Sequence, residues 1–257
     1  MKSLLRSFLL VVLCFITAQS LSAQNVKDLI SQGDKLATQE FKNEEALKKF
    51  LEADKLSPNN WEILWRISRS YVDITEHKNG SEDEMLSKYQ LAYDYANRAV
   101  KLAPDKSITY LRRAIANGRI ALYKGVFSVI GIVNDVKADA EKAIQLGNGG
   151  NEIVASAHYV LARTHAKVCE KAYLVRLPLG LGWGDMDVAI ENFKKAISLR
   201  GNFRMFHLDL AKAYIEEDEY AKAREHLNKI PNLPVLDEDD YMFAQEAQKL
   251  LKEIKDK

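Results

Sequence analysis

Small residues recur along this chain at one helical spacing, and that recurrence narrows the available folds more than any other feature. The pattern is a small residue, an apolar one four places on, and a second small or apolar one three places further. It appears as Ala46, Phe50, Ala53; as Ala92, Ala96, Ala99; and as Val136, Ala140, Ala143. It returns as Ala189, Phe193, Ala196 and as Ala223, Leu227, Ile230. On a helix these positions form one stripe, and small side chains there let a neighbouring helix approach closely. A turn residue closes the first four copies: Pro58, Pro104, Asn148 and Gly201. A second frame lies upstream of three of them: Leu64, Ile67, Ser68, Tyr71; His158, Leu161, Ala162, His165; and His207, Leu210, Ala211, Tyr214. The chain therefore reads as helix, turn, helix, repeated, with no alternating stretch long enough to form a half-buried strand.

Composition agrees with a stacked array and removes several other classes. The 257 residues carry 37 Lys+Arg against 36 Asp+Glu and are 47% hydrophobic, so neither low apolar content nor high net charge argues for disorder. A net charge of +1 offers no broad basic surface, and nucleic acid is not an expected partner. Two cysteines cannot build a disulfide framework.

The first 23 residues read as an address. Lys2 and Arg6 precede an apolar run from Phe8 to Ala18, and Leu21-Ser22-Ala23 resembles a cleavage site before Gln24. That run is short for a membrane span, which needs about 20 apolar residues. The expectation is a cleaved signal peptide (1–23) and an exported chain, periplasmic if the source is a Gram-negative bacterium. Loss of Lys2 and Arg6 leaves 35 positive against 36 negative side chains.

The paired patterns resemble the tetratricopeptide repeat, a unit of about 34 residues made of two antiparallel helices. Tyr214, Tyr220, Ala223 and Leu227 stand at that family's spacings without insertion. The other units are longer, the extra residues falling around 76–84, 124–133 and 169–185. A closer resemblance is to the regulator of microtubule dynamics family. It rests on Leu64-Trp-Arg-Ile-Ser-Arg-Ser-Tyr-Val-Asp73, Tyr123-Lys-Gly125, Lys142-Ala-Ile-Gln-Leu146 and Leu210-Ala-Lys-Ala-Tyr214. What it implies is the fold and a binding role, not a partner, since an exported chain would not meet microtubules.

The predicted fold is all-α: a tetratricopeptide-repeat superhelix of about five helical hairpins with long inter-helix insertions and a C-terminal capping helix. Repeats are placed at roughly 25–58, 61–104, 107–148, 151–201 and 204–234 within one domain of 24–257. The capping helix is placed at 237–256, where Phe243, Ala247, Leu250, Leu251 and Ile254 form one apolar stripe. Two apolar insertions, Val126–Val133 and Leu174–Trp183, fall at equivalent places in successive repeats and are expected to lie near one another.

Chemical motifs are weak. His158, His165 and Cys169 share a helix face, but His158 and His165 occupy packing positions of the repeat and no third ligand accompanies them. Gly180-Leu-Gly182-Trp-Gly184 lacks the Gly-Lys-Ser/Thr ending of a phosphate loop and follows no strand. Asp185 and Asp187 read instead as the cap and first turn of the next helix. No cofactor and no metal are expected, and the chain is read as a non-enzyme. The competing reading is an enzyme, or an accessory to one, with its site in the insertions or on the His158/His165/Cys169 face.

Binding is expected in the concave groove. In the tetratricopeptide family the first helix of each hairpin lines it, one and five places after the Trp-like position. Here the first place holds Trp65, Leu111, Tyr159 and Leu208, an apolar stripe, and the second holds Arg69, Ile115, Arg163 and Lys212, a mostly basic one, with Arg66 and Arg112 between. Apolar anchors beside guanidinium forks suit an extended protein or peptide segment with acidic residues or a C-terminal carboxylate. Membrane contact is allowed but not required. A plainer role for Arg69 is an intrahelical pair with Asp73, four residues on.

Overall fold

A computed structural model describes residues 23–124 and 129–257. These residues hold helices and turns and no strand. Five antiparallel pairs follow one another. The first joins α1 (23–38) to α2 (Asn43–Leu56), and the second joins α3 (Trp61–Glu76) to α4 (Glu82–Leu102). The third joins α5 (Ser107–Tyr123) to α6 (Ile130–Leu146). The fourth joins α7 (Asn151–Cys169) to α9 (Met186–Leu199), with the short α8 (Tyr173–Arg176) and a 3-10 turn (Leu177–Leu179) inserted between them. The fifth joins α10 (Arg204–Glu216) to α11 (Tyr220–Lys229), and α12 (Asp240–Glu253) closes the array.

The repeated small residues do what their spacing requires. Ala46, Ala53, Ala92, Ala96, Ala99, Ala140, Ala143, Ala189, Ala196 and Ala223 are all fully buried, each on the second helix of its pair. Phe50, Phe193 and Leu227 fill the central place of the stripe. The fit is tight enough that a Cβ added to Gly33 of α1 would run into the Phe50 ring. Core side chains are not evenly shared. The largest cluster joins α7, α9, α10, α11 and α12 around Phe193, Phe206, Leu210 and Leu227, while α1–α3, α3–α5 and α5–α7 are held by smaller ones.

Local signals place the helix starts. Ser81 and Glu84 form a reciprocal capping box on α4, and the Asp185 carboxylate accepts from the Val188 amide at the start of α9. The expected opening of the last helix at Asp237 needs correction, since α12 begins at Asp240. The Asp240 carboxylate turns back to accept the amides of Leu236 (2.6 Å) and Asp237 (2.8 Å), which fixes 236–239 as a loop. Arg204 at the start of α10 anchors the same loop by donating to the carbonyls of Leu233 and Asp240.

The insertions behave differently from one another. The first lengthens α3 and α4. Of the second, 130–133 form the opening turn of α6, and Val126 and Phe127 lie outside the described residues. The third docks through Trp183, whose indole N–H donates to Asn134 Oδ1 on α6 (2.9 Å) and whose ring meets His165 edge-on. Leu181 is buried with it, whereas Tyr173, Leu174, Val175 and Leu177 stand in solvent. Trp183 of the third insertion thus rests on Asn134, the residue that follows the second.

Candidate functional site

The first helices of successive pairs present a line of charged side chains, and most of it is neutralised from within. Arg66 donates to both oxygens of Asp34 on α1, from Nε at 2.7 Å and Nη2 at 2.8 Å, while its guanidinium lies 4.2 Å from the Trp65 ring centroid. Arg69 donates to Asp73 at 3.0 Å, the intrahelical pair its spacing suggests. Glu76 at the end of α3 pairs with Arg119 of α5. On α7 and α10, the Tyr159 hydroxyl donates to Asp209 at 2.7 Å, and Arg163 approaches the same carboxylate at 3.5 Å. Lys212 spans Asp209 and Glu246 of α12, at 3.5 and 2.9 Å.

Arg112 breaks this rule. It stands on α5 facing the arginines of α3, 5.7 Å from the Trp65 ring centroid. Among the described residues its guanidinium makes no ion pair, and its Nε is buried without a hydrogen-bond acceptor. Burial first, and then the charge of Arg69, pulls its pKa down to about 10; Asp73 opposes this and Arg66 adds a smaller downward pull. An arginine is rarely displaced so far from its ordinary range, because its charge is delocalised and weakly hydrated. A group in this setting gains a great deal from one incoming anion.

The predicted apolar stripe needs correction. Leu111 (1% exposed) and Tyr159 (5%) are packed between helices and offer the groove no apolar surface. Leu111 belongs to the core between α5 and α7, and the Tyr159 ring stacks on Phe206 with centroids 4.8 Å apart. Trp65, Arg66, Arg69, Arg112, Arg163 and Lys212 all keep some surface. Of these, Trp65, Arg66, Arg69 and Arg112 come together. Arg163 and Lys212 belong to a separate cluster around Asp209.

The His158/His165/Cys169 face is used for packing. His158 Nδ1 meets the Asn192 side chain of α9 at 2.8 Å, and burial lowers its pKa. His165 is buried against Trp183, and burial lowers it as well. The Cys169 thiol is half-buried, and burial pushes its pKa up, away from thiolate character. Among the described residues no group of three or more His, Cys, Asp or Glu side chains is placed to hold a metal ion. No described helix is long and apolar enough to cross a membrane.

Sequence reasoning found the cations but missed their partners. Asp34 for Arg66, Asp209 for Arg163 and Glu246 for Lys212 come from other helices, where no intrahelical spacing exposes them, whereas Asp209 lies three residues before Lys212 on α10 itself.

Five stacked helical hairpins with a capping helix define a tetratricopeptide-repeat superhelix. A solved thermophilic tetratricopeptide-repeat protein of Thermus thermophilus superposes with a TM-score of 0.67 at 16% identity, covering 87% of this chain and 99% of that one. A second solved structure, Pseudomonas aeruginosa pilF, gives 0.56 at 13% identity over 91% and 93%. At such identities the likeness is one of fold. Residues 29–255 match the family described as Regulator of microtubule dynamics protein 1-3, and the chain belongs to that family. It is 26% identical over 237 residues to Regulator of microtubule dynamics protein 3 of Rattus norvegicus, covering 88% of this chain and 49% of the relative. With Regulator of microtubule dynamics protein 1 of Mus musculus it shares 27% over 232 residues, covering 88% and 74%. The chain spans about half the length of the rat relative and 62% of that of the Bos taurus protein 1.

Proposed function

We propose that this chain is a non-catalytic, exported scaffold that binds a protein partner through an acidic or C-terminal segment laid along its inner face. The observation that carries this reading is Arg112, a cation held beside Trp65, Arg66 and Arg69 with no carboxylate of its own. The neighbouring arginines are already satisfied by Asp34 and Asp73, so Arg112 is the point at which an added carboxylate gains most. A terminal carboxylate suits it, because two oxygens match two N–H donors of one guanidinium. The flat Trp65 ring then offers stacking area to the side chain next to that carboxylate. A repeat fold presenting a long surface rather than a deep reactive pocket supports a scaffold over an enzyme. Export rests on Lys2, Arg6 and the apolar run that follows them.

An array of acidic peptides, each made with a free and an amidated C-terminus, tests the recognition. Free-acid peptides should be retained, Arg112→Gln should lose about ten-fold or more in affinity, and rising salt should weaken capture. Full retention by Arg112→Gln would move the site elsewhere. Amino-terminal sequencing of the mature protein, expected to begin at Gln24, tests the export.

A further inference from the structure

In an open stack of repeats each unit touches only its neighbours. Here the first two hairpins also touch the loop before the last helix. His77, at the end of α3, places Nε2 3.0 Å from Asp239 Oδ1, and its Nδ1 lies 3.4 Å from a Glu238 oxygen. Asn43, which opens α2, donates to Glu238 at 2.8 Å. These contacts join residues 162 and 195 positions apart in the chain.

Both sides of the junction are built to meet. The loop is held in shape by the Asp240 carboxylate on two of its amides, by the Asp239 amide on Asp237, and by Arg204 from α10. That leaves Glu238 and Asp239 to face outward. On the other side, His77 Nδ1 sits 2.7 Å from the Asp73 carbonyl oxygen. A carbonyl and a carboxylate only accept, so both ring nitrogens must donate, and the ring is an imidazolium. We propose that the acidic loop 237–239 is a latch that closes on His77 and Asn43, joins the two ends of the superhelix, and regulates entry of a partner to the inner face carrying Arg112.

The groups facing His77 set the direction of its pH response. They are Asp73 and Glu76 of α3, Arg119 of α5, and Asp237, Glu238 and Asp239 of the loop. Burial alone would lower His77, but the Asp73 carbonyl, Asp239 and Glu238 outweigh it and raise the pKa to about 9. Burial also holds Asp237 and Glu238 above the usual carboxylate range. A histidine raised in the folded state adds stability that is fully present below its ordinary value of 6.5 and lost as pH climbs through 9. The latch is therefore closed near neutrality and loosens in alkali.

The gating consequence rests on the groove reading above, whereas the latch itself can be measured without any ligand. Spin labels at Lys48→Cys on α2 and Lys249→Cys on α12, in a full chain whose own cysteines are replaced by serine, report the gap by pulsed dipolar spectroscopy. One short, narrow distance is expected at pH 7. A longer population should appear above pH 9, and at pH 7 in Glu238→Gln/Asp239→Asn or in His77→Ala. The loop variant keeps the test sound should His77→Ala fray the end of α3. A distance unmoved by the variants and by pH overturns the latch. In parallel, association of a fluorescent hexaglutamate with a free C-terminus is timed by stopped flow. With the latch opened it should speed up about three- to ten-fold. An opened distance with an unchanged association rate overturns the gating. Failure of hexaglutamate to bind either form, with the distance still opening, leaves the latch standing and counts against the groove.

Discussion

Arg113→Met isolates the most enclosed ion pair of the structure. Arg113 of α5 holds Asp139 of α6 with two parallel hydrogen bonds, both 2.7 Å, and its third donor reaches Asn97 at 2.8 Å. Asp139 is 6% exposed, and both of its oxygens depend on this one guanidinium. Methionine keeps much of the aliphatic stem but leaves a buried carboxylate with no donor. Breaking one side of such a pair costs about 3–5 kcal/mol. Burial already holds Asp139 above the usual carboxylate range in spite of Arg113, and removal of the cation must raise it further. The folded variant then takes up a proton more readily than the unfolded chain, so its deficit shrinks as pH falls from 7 to 5. Replacing both partners, as in Arg113→Met/Asp139→Leu, should return stability to within about 1 kcal/mol of the parent, since no charge is then stranded. Urea unfolding followed by far-ultraviolet circular dichroism at the two pH values measures all of this. A single variant within about 1 kcal/mol of the parent, or a deficit equal at pH 7 and pH 5, would refute the reasoning.

Phe193→Ala should cost about 3–5 kcal/mol, because its ring is fully buried in the largest core cluster beside Tyr159; the midpoint of urea unfolding checks it. Trp183→Ala should lower the melting temperature through loss of the Asn134 hydrogen bond and the His165 contact, while Leu174→Ser/Val175→Ser, in solvent, should leave it unchanged. His226 faces His207 Nδ1 to Nδ1 at 2.9 Å, and burial, His207 and Lys229 together lower its pKa to about 4. Stability should therefore fall as pH drops from 6.5 toward 4, and His226→Gln should flatten that fall in a pH series of melting curves.

The fold was legible because packing in a repeat array is local. Ala92, Ala96 and Ala99 announce a close neighbour whatever that neighbour is, and the same spacing five times over leaves few alternatives. The start of α12 was not legible, since Asp237 and Asp240 are equally good helix openers and only the backward reach of Asp240 decides between them. The site was half legible. Arg69 and Asp73 lie on one helix, and their pairing follows from a spacing of four. Arg66 with Asp34, and Arg163 with Asp209, depend on how helices from different parts of the chain are set against each other. Adjacent residues show how fine the margin is. Arg112 and Arg113 differ by about 100° around one helix, and that turn sends one guanidinium to Trp65 and the other to Asp139.

The uneven sharing of core side chains bears on the order in which the array assembles. A chain is made from its N-terminus, and stacked repeats nucleate wherever neighbouring units first bury enough apolar surface. The helices from α7 to α12, which hold the largest cluster, are synthesised after α1–α6. Until they appear, the nascent chain has only two smaller clusters to fold around, because the third needs Ala157 of α7. The later half is thus the natural template on which the earlier half completes its stacking.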